Sequence, residues 1–189
     1  MKKIAIDIDG VILDSENLYR VYAEIYDVDI LKADNLYNNT PRTVEDRYNW
    51  NKEQLDRFNE LHKAQALSKS NIITGADIVI KKLKEEFELI IVTARDEYEL
   101  SFIKKEIELL GFDNDKIFIN QKDKTNILIE EKCDYIIDDD INNCIAASKK
   151  GIISIYFKNA AAEKIEDSVN FKAVNNWGEI YKYLKLNNK

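Results

Sequence analysis

Residues 2–16 read KKIAIDIDGVILDSE, and the rest of the chain is best understood from this stretch. The apolar run 4–6 feeds directly into Asp7, with Asp9, Gly10 and a second apolar run behind it. Burying a lone carboxylate is costly, so a strand that ends in two of them needs a counter-charge. Strand geometry repeats every two residues, which sends Asp7 and Asp9 off the same side at the carboxyl edge. Gly10 then permits a tight turn and a close approach of backbone to ligand.

Short Ile-rich runs recur at 4–8, 89–93, 116–120, 135–138 and 152–157. Their length and their charged or turn-forming borders predict strands buried on both faces. Amphipathic stretches at 76–87, 97–110 and 124–132 alternate with them. The first carries Ile78, Val79, Ile80, Leu83 and Phe87 on one side, and Gly111 stops the second. This alternation predicts an α/β fold with a doubly wound parallel sheet, binding ligands at the carboxyl ends of its strands. Between 15 and 71 no strand pattern appears, a gap far longer than an ordinary strand–helix loop. The expected organisation is an α/β core domain, 1–14 and 72–189, with a helical cap domain, 15–71, inserted after the first strand. Pro41, the single proline, marks a break between cap helices, and 177–186 reads as a closing helix.

The chain has 189 residues, of which 45% are hydrophobic, enough for a substantial core. A net charge of −7 disfavours polymeric nucleic acid as a partner, although local cations or a metal still allow a small anion. Cys133 and Cys144 lack paired spacing and suit reduced core thiols, and the lone His62 excludes a His-cluster metal site. With no leader pattern and no membrane-length apolar run, the expectation is a cytoplasmic protein without a membrane partner.

Asp-x-Asp by itself says little, because it occurs four times: at 7/9, 27/29, 113/115 and 138/140. Its company at other strand ends gives it meaning. IIVTARD (90–96) offers the Thr93 hydroxyl, the Ala94 N–H and Arg95 at a helix start, a possible anion seat, although Thr93 as helix cap is an equally simple reading. NQKDKTN (120–126) supplies Lys122 and Lys124, of which Lys124, at the helix start, points back over the strand ends. YIIDDDINN (135–143) ends a strand in three consecutive acids, which repel one another without a cation among them. Hard oxygen ligands without His or Cys select Mg2+. Asp140 also suits the cap of the following helix.

The ordered set (Asp-x-Asp-Gly-Val, then Thr, Lys and Asp-Asp after successive strands) resembles the haloacid dehalogenase superfamily of aspartate-nucleophile phosphohydrolases. The resemblance covers 1–14 and about 72–157, and DIDGVILDSE with VTAR is most similar to 5′(3′)-deoxyribonucleotidase-like members. It implies Asp7 as nucleophile and Asp9 as general acid–base. Mg2+ would be held by Asp7, the Asp9 carbonyl and Asp138 or Asp139, with Thr93, Ala94 and Lys124 cradling the phosphoryl oxygens. YFKNAAAE (156–163) lacks the turn expected of nucleotide-specific members. Four of the five arginines lie in the cap, and Arg42, Arg47 and Trp50 near Pro41 are candidate contacts to a small phosphorylated substrate. Phosphatases or phosphomutases of sugar phosphates share this core, as does a non-catalytic phosphate-ligand-binding protein.

Overall fold

The computed structural model describes residues 1–33, 44–158 and 167–187. Among them, six parallel strands form one sheet: β1 (Lys2–Ile6), β2 (Phe87–Val92), β3 (Ile117–Phe118), β4 (Tyr135–Asp138), β5 (Ile153–Phe157) and β6 (Phe171–Val174). The order β3-β2-β1-β4-β5-β6 is doubly wound, as the strand–helix alternation predicts. The helices are α1 (Ser15–Ile25), α2 (Val44–Tyr48), α3 (Lys52–Phe58), α4 (Ala64–Lys69), α5 (Ala76–Leu83), α6 (Glu97–Ser101), α7 (Lys104–Leu109), α8 (Thr125–Glu130), α9 (Ile141–Lys149) and α10 (Trp177–Asn187). None is long and apolar enough to cross a membrane.

The chain leaves β1 toward β2 and β3, then returns to the other flank of β1 as β4. The carboxyl ends of β1 and β4 therefore border the point where the winding reverses, where open α/β sheets bind ligands. Ile6 pairs with Ile91 and with Ile137, so Asp7, Thr93 and Asp138 emerge along one edge.

Most of the predicted elements are present, with instructive departures. In α5, Ala76, Val79, Ile80 and Leu83 are buried at helical spacing, while Ile78 is 60% exposed and Phe87 opens β2. The stretch 97–110 is divided between α6 and α7. β3 shrinks to two residues, and β6 lies partly within a stretch, 159–172, where no element is apparent from sequence. Both are edge strands with a neighbour on one side only, so they need less of the two-faced apolar pattern.

The two crossings between the sheet and the helices after β1 run side by side. Asp14 N–H donates to the Asn71 carbonyl at 2.9 Å, and Ile73 N–H to the Ile12 carbonyl at 2.8 Å. Within this helical segment Tyr26, Tyr48, Trp50 and Phe58 form their own buried cluster. Tyr48 stacks on Trp50 with centroids 5.0 Å apart, and the Trp50 indole N–H donates to Asp27 Oδ1 at 2.9 Å. Trp50, expected against a substrate, is thus a packing residue, because its ring and its one polar group are both committed within the segment.

Candidate active site

The turn after β1 is built by backbone hydrogen bonds. Ile12 N–H and Leu13 N–H both donate to the Ile8 carbonyl, at 2.9 and 2.8 Å, and Gly10 N–H donates to the Leu13 carbonyl at 2.8 Å. The Trp177 indole N–H donates to the Val11 carbonyl at 2.9 Å, tying α10 to this turn. Gly10 has φ +72°, and a Cβ there would lie 2.1 Å from Asp139 Oδ2. Glycine is therefore what lets the β1 turn and the acidic run after β4 come together.

That approach assembles the site. Asp7, Asp138 and Asp139 each place a carboxylate oxygen within 4.8 Å of the others. Lys124, buried as the N-cap residue of α8, bridges Asp7 Oδ1 and Asp138 Oδ2 at 2.8 Å each. Burial opposes its ammonium charge, but the two carboxylates outweigh it and raise its pKa. Asp138, fully buried, also accepts from Asp140 N–H at 2.7 Å and from Asn143 Nδ2 at 3.2 Å. Asp140 caps α9 by accepting from Asn142 N–H at 2.9 Å. The Asp139 carboxylate receives no hydrogen bond from the described residues.

Three carboxylates here share one ammonium. Burial pushes the Asp7 carboxyl up to about 7; Lys124 pulls it down, while Asp138 and Asp9 push it further up. Burial likewise holds Asp139 well above the usual carboxylate range, with Asp7 and Asp138 adding to the effect. Three clustered carboxylate oxygens, one carboxylate without donors, fit a hard divalent ion such as Mg2+. Asp7 titrates near 3.8 when exposed and near 7 when folded, so the native state binds more protons between these values. Stability from this group is therefore lost as pH rises toward 7. A divalent ion competes with those protons, so Mg2+ should raise Tm more at pH 8 than at pH 5. At about 100 times its Kd the gain at high pH is about 2.7 kcal/mol, or roughly 5–10 °C for a chain of this size. Differential scanning fluorimetry at the two pH values, with and without chelator, checks this.

The other expected residues divide. Thr93 is buried just after β2, its Oγ1 accepting from Arg95 N–H at 3.2 Å, whereas Asp96 caps α6 in a capping box with Glu99. Arg95, expected at a phosphate, does line a cavity of about 660 Å³, but its guanidinium forks onto Asp9, Nε and Nη2 donating at 2.9 and 2.7 Å. Lys122 lines the same cavity and takes no part in the Lys124 bridge. Asp9, Gly10, Ala94 and Asp139 share that cavity. Arg47 is buried in an ion pair with Glu16, which lines the cavity. Arg42 lies outside the described residues. Glu16, Tyr19, Lys63 and Glu99 line the cavity without having been singled out from sequence. The 15, 16, 19 spacing at the start of α1 is the signal that could have shown one face turned to the β1 end.

No family model matches the sequence. A protein of Halalkalibacterium halodurans provisionally named a nucleotidase is 22% identical over 180 residues, covering 94% of this chain and 90% of that protein. A haloacid dehalogenase-like protein of Agrobacterium tumefaciens superposes with a TM-score of 0.74 at 13% identity, over 100% of both chains. A haloacid dehalogenase-type hydrolase of Deinococcus radiodurans, solved with bound phosphate and sodium, gives 0.68 at 13% identity over 98% of this chain and 96% of its own. The fold is that of the haloacid dehalogenase-like hydrolases.

Proposed function

We propose that the protein is a Mg2+-dependent phosphatase that hydrolyses a small phosphomonoester through an aspartyl-phosphate. The observation that carries this reading is Asp7 at the end of β1, bridged by Lys124 and clustered with Asp138 and Asp139 at the sheet's switch point. Asp7 attacks phosphorus, and Asp9 exchanges the proton with the leaving oxygen and then with water. Thr93, the Ala94 N–H and Lys124 hold the phosphoryl oxygens. Asp7, the Asp9 carbonyl and Asp139 would hold Mg2+, because Asp138 already accepts from Lys124, Asn143 and the Asp140 N–H, whereas Asp139 accepts from none of the described residues. Bound there, the ion offsets repulsion between an anionic nucleophile and a phosphate dianion. The helices between β1 and β2, which contribute Glu16, Tyr19, Lys63 and Leu67 to the cavity wall, act as its cap. Free, buried Cys133 and Cys144 suit a cytoplasmic location.

The provisional nucleotidase name of the Halalkalibacterium relative supports a nucleoside monophosphate as substrate. A sugar phosphate is the second reading, because Tyr19 is the single aromatic residue among the described residues that line the cavity. A phosphate-release screen over nucleoside monophosphates and sugar phosphates decides between them. Release with Mg2+ that stops on chelation is the expected result. Inertness toward every ester by a protein that still binds Mg2+ would favour a non-catalytic phosphate-ligand-binding role.

A further inference from the structure

Arg95 is 2% exposed, and four of the five N–H donors of its guanidinium are engaged. Two fork onto the Asp9 carboxylate. The other two run from Nη1 to the Leu67 carbonyl in α4 at 3.4 Å and to the Glu99 carbonyl in α6 at 3.3 Å. One side chain therefore joins the β1 turn, the helical segment and the start of α6. Lys63 and Glu99 add an ion pair between the same two helical regions at 2.5 Å. The Asp9 side chain remains 37% exposed, on the wall of the cavity.

An arginine so occupied is poorly placed to grip a substrate phosphate, and well placed to fix a carboxylate. We propose that Arg95 is the positioning residue of proton transfer: its fork orients Asp9 toward the cavity, and its contact with Leu67 makes that orientation depend on α4 staying docked. This rests on the phosphatase reading above. In the first half-reaction an Asp7 oxygen bonds to phosphorus and the ester P–O bond breaks. The electron pair leaves with the ester oxygen, which takes the proton of Asp9. In the second, water gives a proton to Asp9 as its oxygen bonds to phosphorus, and the Asp7–phosphorus bond breaks with its pair returning to the carboxylate. An aryl ester with an acidic phenol departs without that proton, so for it Asp9 matters in the second half alone.

Rapid-mixing kinetics with p-nitrophenyl phosphate and Mg2+ separate the halves. Arg95→Lys keeps the charge but loses the fork. It should release a burst of nitrophenolate approaching one per enzyme, followed by a steady state slowed roughly 10–100-fold relative to the wild type. Intact mass after acid quench should show phosphorylated protein accumulating. Adding Asp9→Asn to Arg95→Lys should slow the second phase no more than Asp9→Asn alone does. Equal slowing of both phases without phosphorylated protein would overturn the assignment in favour of general support of the fold. A raised KM without a burst would overturn it in favour of a phosphate contact. Arg95→Gln is the parallel variant; should it fail to fold, Arg95→Lys decides. A wild-type protein inert toward the aryl ester and toward every ester of the phosphate-release screen overturns the phosphatase reading and this assignment together, whereas an active wild type with a burst-free Arg95→Lys overturns the assignment alone.

Discussion

Replacing Asp7 by Asn should reduce Mg2+-dependent phosphate release by about 10⁴-fold or more, the scale at which removal of a covalent nucleophile is felt. The substitution is nearly isosteric, and the backbone hydrogen bond from Asp7 N–H to the Ile137 carbonyl at 3.0 Å is untouched. An amide oxygen can still accept from Lys124, and one buried charge repelled by Asp138 and Asp9 is gone. The loss should therefore appear as catalysis rather than as unfolding. Circular dichroism and steady-state turnover measured on one preparation separate the two, and an Asp7→Asn protein retaining wild-type turnover would remove Asp7 from the mechanism.

The second large effect concerns stability. Lys124→Met removes the one ammonium shared by Asp7 and Asp138 and leaves both carboxylates in place, Asp138 fully buried. Breaking a buried ion pair from one side costs about 3–5 kcal/mol, because the surviving charge is left without compensation. For a chain of this size that is a fall in Tm of roughly 6–20 °C. Mg2+ should recover part of the loss, since a divalent ion among three carboxylates supplies charge that the lysine no longer does. Thermal denaturation with and without Mg2+ measures both quantities, and an unchanged Tm would show that Lys124 does not hold the cluster together.

What could be read from sequence follows from where each signal resides. β1, β2 and β4 are buried on both faces, so they leave unbroken apolar runs whose ends point to Asp7, Thr93 and Asp138. Lys124 was legible because it opens the helix after β3, and Asp140 because a cap is a local pattern. Arg95 was visible as a residue, but its partner was not. The fork to Asp9 closes over 86 residues of sequence and depends on how α4 and α6 dock. Trp50 misled for a related reason. An aromatic beside arginines looks the same whether it stacks on a ligand or on Tyr48, and only tertiary packing distinguishes the two. Asp138 and Asp139 likewise differ in donors that lie elsewhere in the fold: Lys124 and Asn143 donate to the first, and no described residue donates to the second.

The most direct test of the account is capture of the covalent intermediate. The protein is mixed with a phosphomonoester that it turns over and Mg2+, quenched in acid during turnover and digested for peptide mapping. The account predicts a phosphoryl group on the peptide carrying Asp7, absent from Asp7→Asn. Turnover with no phosphorylated peptide, or with the phosphoryl group on any other residue, would contradict it.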